Sequence, residues 1–146
     1  MISNWQDSPK RSHTDVLREL LEPANAKIVD VGCGAGNITR GLTAMGAEVI
    51  GIDPGTRQLE RARQSQPEGS EVYIKATAEN LPFENESKDI ILFFNSFHHV
   101  PHSKFSAAIN ESQRVLQPGG KLLFSEPIAD GPQFELSRLI NDETEI

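Results

Sequence analysis

The stretch IVDVGCGAGN, residues 28–37, decides the fold. An apolar run ends in three glycines at alternate positions, Gly32, Gly34 and Gly36. Glycine weakens regular structure and is useful where backbone turns sharply or is touched closely. The stretch therefore reads as a buried strand that leaves through a tight loop into a helix. Asp30 stands in the strand, just ahead of the first glycine.

Working outward, the same pattern recurs. Upstream, SHTDVLRELLE (12–22) places Val16, Leu17, Leu20 and Leu21 on one helical face, with Ser12 or Thr14 as cap and Pro23 and Asn25 as stop. KIVDVG (27–32) is the first strand, and NITRGLTAMG (37–46) is a helix stopped by Gly46. AEVIGID (47–53) is a strand, TRQLERARQSQ (56–66) a helix, EVYIKAT (71–77) a strand and AENLPFENES (78–87) a loop. KDIILFFNS (88–96) is the most apolar strand. SKFSAAINESQRVLQ (103–117) is a helix whose inner face is Phe105, Ile109, Val115 and Leu116. Pro118, Gly119 and Gly120 end it, KLLFSEP (121–127) is a fifth strand, and 132–142 starts a further helix. Residues 1–11 form a polar tail, and 12–146 one domain. Apolar strands alternating with helices predict an α/β fold: a Rossmann-like, doubly wound, mostly parallel sheet with helices on both faces. Ligands of such sheets bind outside the carboxyl ends of the strands.

Composition narrows the function. The chain has 146 residues, 37% hydrophobic and 24% charged, which suits one soluble domain with a core. The formal charge of -7 argues against a nucleic-acid partner, which wants a basic footprint. No apolar run is long enough for a bilayer, and the N-terminus has no secretory signal, so no membrane partner and a cytoplasmic location are expected. The single cysteine, Cys33, fits a reducing compartment and reads as a small buried filler.

The spacing of the motif identifies a ligand chemistry. A dinucleotide loop reads G-x-G-x-x-G and holds pyrophosphate at a helix N-terminus. Here the third glycine comes one residue early, and Asp30 would repel a pyrophosphate but suit a cation. Asp53 ends the second strand about 20 residues after the glycine loop, where an acid accepts hydrogen bonds from ribose hydroxyls. The expected ligand carries a ribose and a positive charge but no pyrophosphate, and S-adenosylmethionine meets all three conditions. The same features disfavour a nicotinamide dehydrogenase. As a bland alternative, Asp53 caps the next helix.

The chain resembles the class I S-adenosylmethionine-dependent methyltransferases that act on small molecules. VDVGCGAGNITR, GIDPGTRQLERAR, ATAENLPFENESKDII, FFNSFHHV and RVLQPGGKLLFSEP match the family's blocks in order, over roughly residues 26–127. The resemblance implies cofactor contacts for each matching position. Asp30 lies near the methionyl ammonium, directly or through water. Gly32, Gly34 and Gly36 let backbone approach the methionyl and ribose parts. Asp53, followed by Pro54, holds the ribose hydroxyls. Ala78 and Glu79 lie beside adenine, and Asn95 and Ser96 beside the sulfonium. Thr77 stands where the family often has an aspartate reading the adenine amino group; a hydroxyl there lacks charge assistance. The family's closing antiparallel hairpin has no counterpart before Ile146, so the chain reads as a fragment of a longer enzyme, or as a module that binds S-adenosylmethionine or dimerises without catalysis.

The implied reaction moves a methyl group to a small-molecule acceptor and leaves S-adenosylhomocysteine. His98 or His99 is the candidate base for an acceptor that must lose a proton. His102 makes an H-H-x-x-H pattern, but no acid or cysteine has ligand spacing nearby, so no metal is expected. Trp5 and Phe97 are candidates for a substrate wall, with packing as the default.

Overall fold

The computed structural model describes residues 9–127. Trp5 and the expected helix at 132–142 lie outside them. In chain order the elements are α1 (His13–Leu21), β1 (Lys27–Val31), α2 (Asn37–Ala44), β2 (Glu48–Asp53), α3 (Thr56–Gln64), β3 (Val72–Lys75), β4 (Lys88–Phe94), α4 (Phe105–Val115) and β5 (Leu116–Ser125). Two short 3-10 turns, Phe97–His99 and His102–Lys104, separate β4 from α4. No helix among the described residues is long and apolar enough to cross a membrane.

All strand pairs are parallel, in the order β3-β2-β1-β4-β5. The chain moves outward from β1 to β3, then crosses back to place β4 on the other side of β1. Order therefore reverses between β1 and β4. Strand alternation sorts the core into two layers. Ile28, Val49, Ile90 and Leu92 pack with Leu17 and Leu21 of α1 and Leu42 of α2. Val29, Val31, Ile52, Ile91 and Phe93 pack on the opposite face with Ala108 and Val115 of α4. Burial of each large apolar side chain in these layers stabilises the fold by about 1.5–3 kcal/mol.

The caps fall where the sequence puts them. The Ser12 hydroxyl accepts from Asp15 N at 3.1 Å and opens α1. Gly46 takes φ +92° just past α2. Some boundaries differ. In α1, Leu17 and Leu21 are buried but Leu20 is 51% exposed, because the helix buries only an i, i+4 pair. The inner face of α4 is Ala108, Ser112 and Val115, not the larger Phe105 and Ile109. Ser112 is tolerated there because its hydroxyl donates to Ala108 O at 2.9 Å. Leu116 already belongs to β5. Lys88 pairs with Leu116 and Ile90 with Lys121, so residues 117–120 swing out of register between them. Pro118, Gly119 and Gly120 thus form an outward excursion within β5.

Candidate functional site

The glycine loop is stitched to its neighbours from three sides. Gly32 N and Cys33 N both donate to Ile52 O, at 2.8 and 2.9 Å, which ties the loop to β2. Ser96, just past β4, donates its hydroxyl to Val31 O at 2.6 Å. Its side chain presses on Gly32, where an added Cβ would lie 2.5 Å from Ser96 Cβ. Asp53 closes the third side: Oδ2 accepts from Gly34 N at 3.0 Å and Oδ1 from Gly55 N at 2.7 Å. The acid at the end of β2 thus holds both loops; it does not cap α3, whose N-cap is Gly55 with no side-chain cap bond.

Above these loops lies a cavity of about 570 Å³ at the carboxyl edge of the sheet. That is within the roughly 300–1,000 Å³ usual for small-molecule sites. Val31, Gly32 and Gly34 contribute from the exit of β1, and Asp53 and Pro54 from that of β2. Thr77, Ala78 and Glu79 follow β3, and Asn95, Ser96 and His99 follow β4. The structure thus gathers ten of the thirteen sequence-nominated residues, counting Gly32, Gly34, Asp53, Pro54, Thr77, Ala78, Glu79, Asn95, Ser96 and His99, around one space. Gly34 (φ +54°) has nothing within 4 Å of where a Cβ would stand. Asn95 also takes a left-handed φ, +49°, and its N donates to Ser125 O at 2.7 Å, so the exit of β4 bends toward β5.

The other three nominated residues lie off the cavity wall. Asp30 is 1% exposed and points to the α2 side of the sheet, as alternation with Val29 and Val31 requires. Thr39 of α2 donates its hydroxyl to Asp30 Oδ2 at 2.7 Å. Burial, opposed by that hydrogen bond and reinforced by Asp53, raises the Asp30 carboxyl to about 6. Gly36 is walled by Tyr73 and Arg40: an added Cβ would lie 2.4 Å from Tyr73 Oη and 2.8 Å from Arg40 Nη1. The third glycine therefore admits a tyrosine from β3. His98 turns away to Glu126, with Nδ1 2.5 Å from Oε2. Cys33 is buried, and burial pushes its thiol well above the usual range. His102 packs against Phe105, and no metal-holding cluster of three exists among the described residues.

Four contributing residues escaped the sequence reading. Glu126 accepts from Ser96 N at 3.2 Å and Phe97 N at 2.8 Å besides contacting His98. Its position just past the fifth strand was the available signal, since that edge of a parallel sheet carries function. Thr39 was legible as a polar residue on the inner face of a helix. Gly51 leaves room for Cys33 Sγ and Thr39 Oγ1, each 2.9 Å from its imagined Cβ. Gln58 of α3 lines the cavity beside Pro54, and nothing local in the sequence marks it.

Comparison with known proteins agrees with this geometry. Residues 29–124 match the family model described as "Methyltransferase domain". The phthiotriol/phenolphthiotriol dimycocerosates methyltransferase of Mycobacterium leprae is 32% identical over 127 residues, 82% of this chain and 46% of that protein. The ubiquinone biosynthesis O-methyltransferase of Aliivibrio fischeri is 35% identical over 116 residues, 75% of this chain and 49% of that one. The chain thus spans about half the length of these curated relatives. An S-adenosylmethionine-dependent methyltransferase from Mesorhizobium loti superposes with a TM-score of 0.68 at 31% identity, covering 77% of this chain and 52% of that structure. The sheet order, the glycine loop joined to Asp53 and these matches lead to one assignment: the chain belongs to the class I S-adenosylmethionine-dependent methyltransferases.

Proposed function

We propose that this chain holds S-adenosylmethionine in the cavity above β1 and β4 and takes part in moving its methyl group to an oxygen of a small molecule. The observation that carries the reading is that the open face of Gly34 and the carboxylate of Asp53 meet on one cavity wall. A side chain at Gly34 would fill the space the ligand needs. Asp53 retains lone pairs beyond those used by Gly34 N and Gly55 N, enough to accept from two ribose hydroxyls. Pro54, Ala76, Ala78 and Val100 give apolar walls for a flat base. The residues fit the cofactor.

S-adenosylmethionine supplies a methyl group already activated by its sulfonium. The chain's task is alignment and exclusion of water. Asp53 and Pro54 orient the ribose. Thr77, Ala78 and Glu79 flank the adenine, with Gln58 beside them. Asn95 and Ser96 bound the sulfonium end, on the strand exit fixed by the Ser96–Val31 hydrogen bond. Asp30 acts from beneath the glycine loop, where its charge favours a cation above. Of the two histidines, His99 faces the cavity and is the proton acceptor. Oxygen as the accepting atom is supported by the relative named an O-methyltransferase.

Titration calorimetry with S-adenosylhomocysteine tests the reading. Asp53→Ala weakens binding by about 1.5–3 kcal/mol, the range for hydrogen bonds to a charged group. Unchanged affinity in a variant that melts cooperatively removes Asp53 from the site. No binding to the unaltered chain removes the cofactor.

A further inference from the structure

Glu126 stands at the end of β5 and reaches across to the turn that follows β4. One carboxylate oxygen takes two consecutive backbone N–H groups, those of Ser96 and Phe97. The other takes His98 Nδ1 at 2.5 Å. A carboxylate only accepts, so the proton of that hydrogen bond sits on Nδ1. The His98 ring in turn lies against that of His99, with centroids 4.0 Å apart. His99 lines the cavity. A continuous series of contacts therefore runs from the sheet, through Glu126 and His98, to an imidazole at the mouth of the site. Fold stability alone does not call for it. The His98 and Glu126 side chains are 16% and 27% exposed, so water could serve the same groups.

We propose that Glu126 is a positioning residue for methyl transfer: it fixes the turn after β4 and, through the ring of His98, sets His99 against the cavity to take the proton of the hydroxyl being methylated. This rests on the methyltransferase reading above. In the step served, the acceptor oxygen bonds the methyl carbon with its own lone pair. The carbon–sulfur bond breaks with its pair left on sulfur, and the hydroxyl proton passes to the unprotonated nitrogen of His99. Glu126 and His98 touch none of the reacting atoms. They restrict the orientation of the group that does.

The test uses the whole chain with ¹⁵N-labelled histidine. Long-range nitrogen–proton spectra of the unaltered protein show His98 protonated at Nδ1. In Glu126→Gln that signature is lost and the His99 ring signals move, while the melting temperature and S-adenosylhomocysteine affinity stay close to the original. His98→Asn, which keeps a donor for Glu126 but removes the ring, moves the His99 signals too and serves if Glu126→Gln does not fold. Acylation of His99 by diethylpyrocarbonate changes several-fold in either variant, while that of His102, which touches neither Glu126 nor His98, does not change. A His98 ring protonated on Nε2 alone, with Nδ1 bare, in the unaltered protein overturns the proposal. So do His99 signals or acylation rates indifferent to both substitutions. Failure of S-adenosylhomocysteine to bind would sink the cofactor reading alone and leave the tautomer result standing.

Discussion

Asp30 concentrates the chemistry of single residues in this chain. The sequence marks it as part of a motif, and alternation along β1 dictates that it faces α2. What the sequence does not spell out is that Thr39, nine residues on, supplies its hydroxyl. The consequence is measurable. The carboxyl rises from 3.8 to about 6 in the folded chain, mainly through burial. A raised carboxyl means that the unfolded chain ionises first as pH increases. The stability this group contributes is present in full below about pH 4 and is lost as pH rises to about 6, by roughly 3 kcal/mol. Asp30→Asn keeps a partner for Thr39 and removes the titration. Urea unfolding of that variant should lack this decline between pH 4 and 6. A parallel decline in both proteins would show that Asp30 is ionised throughout. The cavity residues were easier to nominate, because ligand chemistry falls at strand ends. The motif puts Gly36 on the same loop surface, yet its neighbour is Tyr73 from another strand, a contact invisible to local spacing.

Between elements, the loop after β3 is held by α4. Arg114 donates to Leu81 O at 3.0 Å, Phe83 O at 2.8 Å and Asn85 Oδ1 at 2.9 Å. Glu111 accepts from Leu81 N at 2.7 Å, and the Arg114 guanidinium beside it holds its carboxyl below the usual range. An i, i+3 pair on one helix thus fixes the backbone of the segment that carries Ala78 and Glu79 to the cavity. Sequence reading gives this segment as a loop and sees α4 only as amphipathic, since a surface arginine whose partners are carbonyls some 30 residues away leaves no periodic trace. Arg114→Met keeps the apolar stem and removes the donors. Hydrogen exchange followed by mass spectrometry should show residues 81–85 losing protection in that variant while β1 and β4 keep theirs. Unaltered protection at 81–85 would mean that the loop holds itself.

For the molecule as a whole, the alternation of strands and helices carries the parallel sheet, while the strand order β3-β2-β1-β4-β5 comes from the structure, because strand pairing across crossovers leaves no local trace. Side-chain ties across long sequence separations, such as Glu126 to His98, are beyond that alternation too. Stability should follow the same geography. β1 and β4 each have neighbours on both sides, and Ile28, Val29, Ile91, Leu92 and Phe93 are wholly buried. β3 has one neighbour and exposes Val72. Native-state exchange should rank the amides of Ile28–Val31 and Ile90–Phe93 as slowest, near the global opening free energy, with those of β3 opening earlier. Equal rates across the sheet would contradict the layered core.

The excursion at residues 117–120 has a practical consequence. It leaves β5 at its amino end, whereas the cavity sits at the carboxyl ends of the strands. Gly119 has φ +81° and nothing within 4 Å of where a Cβ would stand. A dye, a purification tag or a tether to a surface grafted there would hang from the far side of the protein, leaving the ligand's doorway clear.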